Sequence, residues 1–261
     1  MRSPKLLATV CTALLTAGGV ALAAGPKTDR MATPPAAAEL IAAIDSVAGG
    51  DKTESNASLA ALAESVPPQS PVREAIEAGD LVAAREMLAF RPLDEAPLPE
   101  GFPAFTPVGM IEVKQYPAYR KAEGRGFWPL FRHIQQRAIP MTTPVEMTRA
   151  GARGDAPMAF LYQNTSVGET GDDGGGEGVT VTDAEATLAV SLGMRGGMNT
   201  EKTIDAKRRL DAWLADNPDY RRNGMTPFRM FGYNSPMVGD AERYWEAQIL
   251  VERVPTTGGG E

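Results

Sequence analysis

Three kinds of side chain in residues 127–153 are equipped for chemistry. Phe131, Ile134, Met141, Val145 and Met147 are apolar, two of them with polarisable thioethers; His133 is the single histidine; and Arg132, Arg137, Arg149 and Arg153 flank them. The apolar set can serve a core or a ligand, and arginines beside a helix are by default solvated. Most catalytic alternatives lack their residues. The only cysteine, Cys11, lies in an N-terminal apolar run, and one histidine cannot build a multi-histidine metal site. No G-x-S-x-G elbow, phosphate-binding loop or dinucleotide glycine fingerprint is present. Carboxylates remain as acid–base candidates, with Glu146 beside Met147 and Glu246 beside Trp245.

The elements that must position these residues are legible from periodicity. Phe127, Leu130, Phe131, Ile134 and Ala138 recur at three-and-four spacing, which predicts a helix over about 128–137, ended before Pro140. At about 100° per residue, His133 falls roughly 120° from the centre of the Phe131/Ile134 stripe, so it is expected to face solvent or the helix flank. Met141, Thr143, Val145 and Met147 then alternate as an extended segment in which Pro144 favours an edge or a bulge. The same order returns later. A strand through Leu188–Met194 precedes a helix capped by Asn199 or Thr200, with Ala206, Leu210 and Trp213 on one face, and strands near 228–233 and 244–252 follow. Two β-α-β-β units predict an α+β domain in which each helix packs on an antiparallel sheet. Residues 168–178, GETGDDGGGEG, read as a flexible loop.

Several separated stretches resemble the SOUL haem-binding family. They are IEVKQYPAYRKAE (111–123), LFRHIQ leading to IPMTTPVEM (130–147), FGYNSP (231–236) and YWEAQILVE (244–252), in the family's order and spanning about 108–253. The resemblance implies a distorted eight-stranded antiparallel β-barrel flanked by two helices, and a site for haem. Protoporphyrin is a flat apolar disc with two carboxylates, which needs an apolar slot and usually a cationic rim. By that implication Phe131, Ile134, Met141, Val145, Met147 and Arg149 are the binding candidates; the alternative is that the apolar ones are simply core. Arg132, Arg137, Arg153, Arg195, Arg221 and Arg222 are further rim candidates. His133 stands where the family commonly has tyrosine, so a histidine ligand cannot be carried over, and Met141 or Met147 could reach the iron. A non-enzymatic haem carrier or buffer is the first reading. A binding module for other amphiphilic small molecules is the alternative, and a carboxylate-dependent hydrolase the third.

Arg2 and Lys5 precede an uncharged run ending in small residues at Ala21–Gly25, the pattern of an export signal over residues 1–24. This predicts a periplasmic or extracellular protein without stable membrane insertion after cleavage. Losing those two of 26 basic residues leaves 24 against 33 acidic, which disfavours nucleic acid as a partner. Residues 25–107 are rich in Ala and Pro. One helical hairpin is expected at 70–90, with Ser70 as a cap, and a proline-rich linker at 92–107. On this reading the segment is a spacer, dispensable for a domain at 108–253, and 254–261 is a frayed tail.

Overall fold

The computed structural model describes residues 29–49, 55–148, 157–174, 178–223 and 228–255. The signal segment, Arg149, Arg153, the middle of the glycine-rich loop and residues 256–261 lie outside the described residues. Four helices come first: α1 (Pro35–Gly49), α2 (Ser55–Glu64), α3 (Pro71–Glu77) and α4 (Leu81–Ala89). Then follow β1 (Ile111–Tyr116), β2 (Tyr119–Arg125), α5 (Phe127–Gln136), β3 (Val145–Met147), β4 (Pro157–Leu161), β5 (Gly171–Asp172), β6 (Thr180–Ala184) and β7 (Thr187–Arg195). The chain continues with α6 (Thr200–Asp216), β8 (Tyr220–Arg222), β9 (Arg229–Gly232) and β10 (Tyr244–Arg253).

The two expected units are β2-α5-β3-β4 and β7-α6-β9-β10. All strands join one antiparallel sheet in the order β1-β7-β10-β9-β3-β4-β2-β6-β5, with β8 added on β10. Strict alternation gives the sheet two unlike faces. Val181, Ala122, Phe160, Val145, Gly232, Trp245 and Met194 stand in register across one face, and both helices pack there. Glu146, Phe231 and Glu246 stand in register on the other.

The sheet is open, which corrects the closed barrel that the resemblance implies. β1 and β2 are consecutive but part at Pro117, β1 pairing only with β7 and β2 with β4 and β6. Between them sits Phe102, its ring edge-on to Tyr116 of β1 at 5.1 Å and to Tyr119 of β2 at 5.3 Å.

The supposed linker is therefore a strap across the sheet's polar face. Phe105 and Thr106 are fully buried, the Thr106 N–H donates to Glu246, and the Glu100 N–H donates to the Gln163 carbonyl at 2.7 Å. Gly193 of β7 makes room for it: a β-carbon there would stand 2.3 Å from the Thr106 carbonyl oxygen and 2.4 Å from that of Pro107. Ahead of the strap, one hairpin is corrected to four helices sharing a core of Ile44, Leu62, Val66, Val72, Ile76 and Leu88, with Met110 joining it. Ser70 makes no side-chain cap; its hydroxyl accepts from the Ile111 N–H instead, tying the helices to β1. Arg209 of α6 reaches Glu74 at 2.6 Å.

Candidate functional site

On the helix face, α5 lies across β2 and β4 while α6 lies across β7 and β10. The central strands β3 and β9 thus floor a groove between the helices. α5 starts after Gly126 at φ 78° and ends where Ala138 takes φ 51°, a left-handed turn that stops the helix ahead of Pro140. Its buried arc is Leu130, His133 and Ile134, turned roughly 60° toward His133 from the arc centred on the apolar stripe. That rotation brings Phe127 and Phe131 to the groove edge, their rings stacked at 5.3 Å, and leaves Trp128 beside them 64% exposed.

The floor is methionine-rich around one buried residue without a side chain, Gly232. Val145 pairs with Gly232 and Met147 with Met230, so these four share the floor. At Gly232 a β-carbon would stand 3.0 Å from the Met147 methyl and 3.3 Å from that of Met198, which leans in from the loop before α6. Of the six sequence candidates, Phe131, Ile134, Met141 and Val145 gather in the cluster under α5, and Ile134 is core. Met147 packs with the α6 cluster across the groove, and Arg149 lies outside the described residues. Met198 was not among them; with no periodic pattern around it in a Gly-Gly loop, nothing in the sequence singles it out. Among the other arginines, Arg137 donates to the Asp173 carbonyl, Arg195 to that of Ala241, and Arg221 and Arg222 pair with Glu252 and Asp211.

His133 contradicts the expected surface position: it is 1% exposed. Its Nδ1 lies 3.0 Å from Asp173 Oδ2 and its Nε2 2.6 Å from the Tyr162 hydroxyl. Burial pushes the Tyr162 phenol up to about 12, so it keeps its proton and donates to Nε2, leaving Nδ1–H to donate to the carboxylate. Both ring nitrogens are thereby occupied. Asp173 belongs to the stretch read as a flexible loop, yet its side chain is only 5% exposed, and Gly171 and Asp172 pair with β6 as β5. The histidine is what the loop folds against.

The opposite face holds two buried carboxylates. Glu246 accepts from the Thr106 N–H, Lys114 Nζ at 2.8 Å, Gln248 Nε2 at 2.7 Å, Ser191 Oγ and the Tyr116 and Tyr233 hydroxyls. Burial alone would raise its pKa, but Lys114 and these donors hold it below the usual carboxylate value. Glu146 is likewise held low against burial by Arg229, Lys121 and Tyr119. Tyr119, Lys121, Glu146 and Arg229 line an open cleft of about 360 Å³. Both carboxylates are engaged by buried cations and hydroxyls on the face away from α5 and α6.

The groove can be tested against the flat, apolar ligand that the sequence suggests. Two thioether methyls pack over Gly232, stacked rings stand beside them, and no charged side chain stands in register with Val145, Met147, Met230 and Gly232. The chemistry of these side chains is that of an apolar ligand's lining, with thioethers as the soft donors among them. Among the described residues no cluster of three or more His, Cys, Asp or Glu could hold a bare metal ion, and no helix is long and apolar enough to cross a membrane.

The family model described as SOUL heme-binding protein matches residues 105–250, which bears out the resemblance and extends it into the end of the strap. No curated protein matches the chain. Among solved structures, the C-terminal domain of EcmrR is similar at 16% identity and a TM-score of 0.42, covering 56% of this chain and 98% of that one. A hydrolase from Listeria innocua is similar at 11% identity and a TM-score of 0.41, covering 57% and 94%. These are similarities of layout, and what those proteins bind or hydrolyse stays with them.

Proposed function

Since the chain belongs to the SOUL haem-binding family, we propose that it binds haem or a related tetrapyrrole in the groove between α5 and α6, as an exported carrier or buffer rather than an enzyme. Beyond the family itself, the observation that supports this most is the apolar lining of that face, where the methyls of Met147 and Met198 pack over Gly232 beside the stacked rings of Phe127 and Phe131. When bound, haem would supply its iron and its absorbance. The protein's own part is to exclude water from the disc through Phe131, Val145 and Met147 and to present thioethers to it. Holding by apolar contact, without the engaged His133, suits a protein that must also release its ligand.

Titrating haemin into the full chain tests the reading by growth of a shifted Soret band. Gly232→Val builds a branched side chain into the floor at a strand position that tolerates it, and the neighbours it meets are the flexible ends of two methionines. Binding is expected to weaken at least about tenfold, or ~1.4 kcal/mol, while the unfolding midpoint stays near wild type. Equal affinity in the variant, with the wild type binding, would move haem elsewhere on the molecule.

Export belongs to the same proposal. The charged start, uncharged run and small-residue exit motivate it, and the acidic remainder gives no support for a nucleic-acid role. Protein recovered from its native host is expected to lack the first 23 or 24 residues by intact mass. A full-length product embedded in the membrane would contradict it.

A further inference from the structure

The strap sets Thr106 against Glu246, whereas beside Glu146 the same sheet face opens as the cleft of about 360 Å³. Side chains of β2, β3, β9 and β10 wall it, and the turn between β6 and β7 closes one end. That volume lies at the small end of the range that takes organic ligands.

The polar groups in this cleft do not balance. Glu146 Oε1 accepts from Lys121 Nζ at 3.1 Å, and its Oε2 accepts from the Tyr119 hydroxyl at 2.8 Å with Arg229 Nη1 3.6 Å away, so the carboxylate is satisfied. Its partners are not exhausted. Lys121 Nζ also lies 2.9 Å from Glu123, which leaves one of its three protons. Arg229 is 2% exposed; its Nε donates to Gln248 at 2.8 Å and its Nη1 to the Tyr119 hydroxyl at 2.9 Å, while Nη2 is buried without a hydrogen-bond partner. Buried donors are seldom left bare in a folded protein. The guanidinium is also held in place, with Cζ 4.3 Å from the Phe231 ring centroid and 5.1 Å from that of Tyr116.

The lining therefore has donors in surplus and lacks an acceptor. Two cations face the one buried carboxylate, and Glu185, the other acid of the lining, stands exposed at the turn, where water screens it. A ligand cation would meet Lys121 and Arg229 as like charges. Beside the donors the surface is apolar at Ala186 and Leu250.

We propose that the cleft is a second ligand site that takes a small organic carboxylate. The head group accepts from Arg229 and Lys121, and the apolar body lies along Leu250 and Ala186. This site is separate from the groove between the helices, because the pleat puts Glu146 and Phe231 on the sheet face opposite Val145, Met147 and Gly232.

Calorimetric titration of the full chain with phenylpropionate and octanoate, against phenylpropionamide and phenylpropylamine, tests it. At least one acid should bind at up to millimolar concentration, the amide at least about tenfold more weakly than its acid, and the amine not at all. Arg229→Lys keeps a charge beside Glu146 but loses the planar fork, and should weaken the acid at least about tenfold. Ala186→Trp leaves every charge in place and narrows the cleft at an exposed turn, so it should weaken the acid as much while keeping the wild-type unfolding midpoint. Saturating haemin should not displace the acid. Absence of binding by both acids, or an amide or amine as tight as the acid, would overturn the proposal. So would wild-type affinity in Ala186→Trp or in folded Arg229→Lys, and displacement by haemin would make the two sites one.

Discussion

Replacing Lys114 with Met is expected to destabilise the protein by about 3–5 kcal/mol at neutral pH and by clearly less in mild acid. Lys114 Nζ lies 2.8 Å from Glu246 Oε1, the two side chains being 5% and 0% exposed. In the intact protein the folded carboxyl has a pKa below the ordinary glutamate value of 4.5, despite burial pulling it upward, because Lys114 and the surrounding donors favour the charged form. Its contribution to stability is therefore present above that value and lost as the pH falls through the lower folded one. Without Lys114 the order inverts. Burial dominates, the folded pKa rises above the unfolded one, and the native state gains by taking up a proton, so the damage is greatest above both values and shrinks below them. Denaturant unfolding of wild type and Lys114→Met at about pH 7 and about pH 4 measures this. A loss of the same size at both pH values would mean that the carboxyl is not the group left uncompensated. The strap should suffer first, because the Thr106 N–H donates to the same Glu246 oxygen.

The second large effect concerns the residue whose position the helical wheel misplaces. His133→Ala is expected to cost about 3 kcal/mol, combining a cavity under α5 with a phenol and a carboxylate that each lose a partner at ~1–3 kcal/mol. Asp173 keeps Arg137 at 3.8 Å, so the carboxylate is not wholly abandoned, whereas Tyr162 loses its 2.6 Å partner. The 168–174 segment is held to the domain by this bond together with the β5–β6 pairing and Arg120, so hydrogen exchange there should accelerate before the central strands respond. Haemin bound by the folded fraction should keep its Soret position, since His133 does not face the groove. A wild-type unfolding midpoint in His133→Ala would place the histidine at the surface after all.

Much of the architecture is written locally. The β-α-β-β order, both helices, the Asn199 cap and the strands near 190, 230 and 248 follow from periodicity and capping, because one face of each element is apolar over several turns or pleats. Sequence order also carried the family, since its segments are contiguous. The rotation of α5 was not legible. His133 lies inside because Asp173 and Tyr162, 40 and 29 positions away, satisfy both its nitrogens; a wheel counts apolarity and cannot see distant polar partners.

Periodicity and motif order thus fix the set of elements and the family. Tertiary structure alone decided the rest. It made a proline-rich strap part of the core, because a sheet face carrying buried Glu146 and Glu246 needs backbone and aromatic cover that composition does not announce. It also set Met198 opposite Met147 across Gly232, 51 residues along the chain, since only the pairing of β3 with β9 and the seating of α6 bring those methyls together.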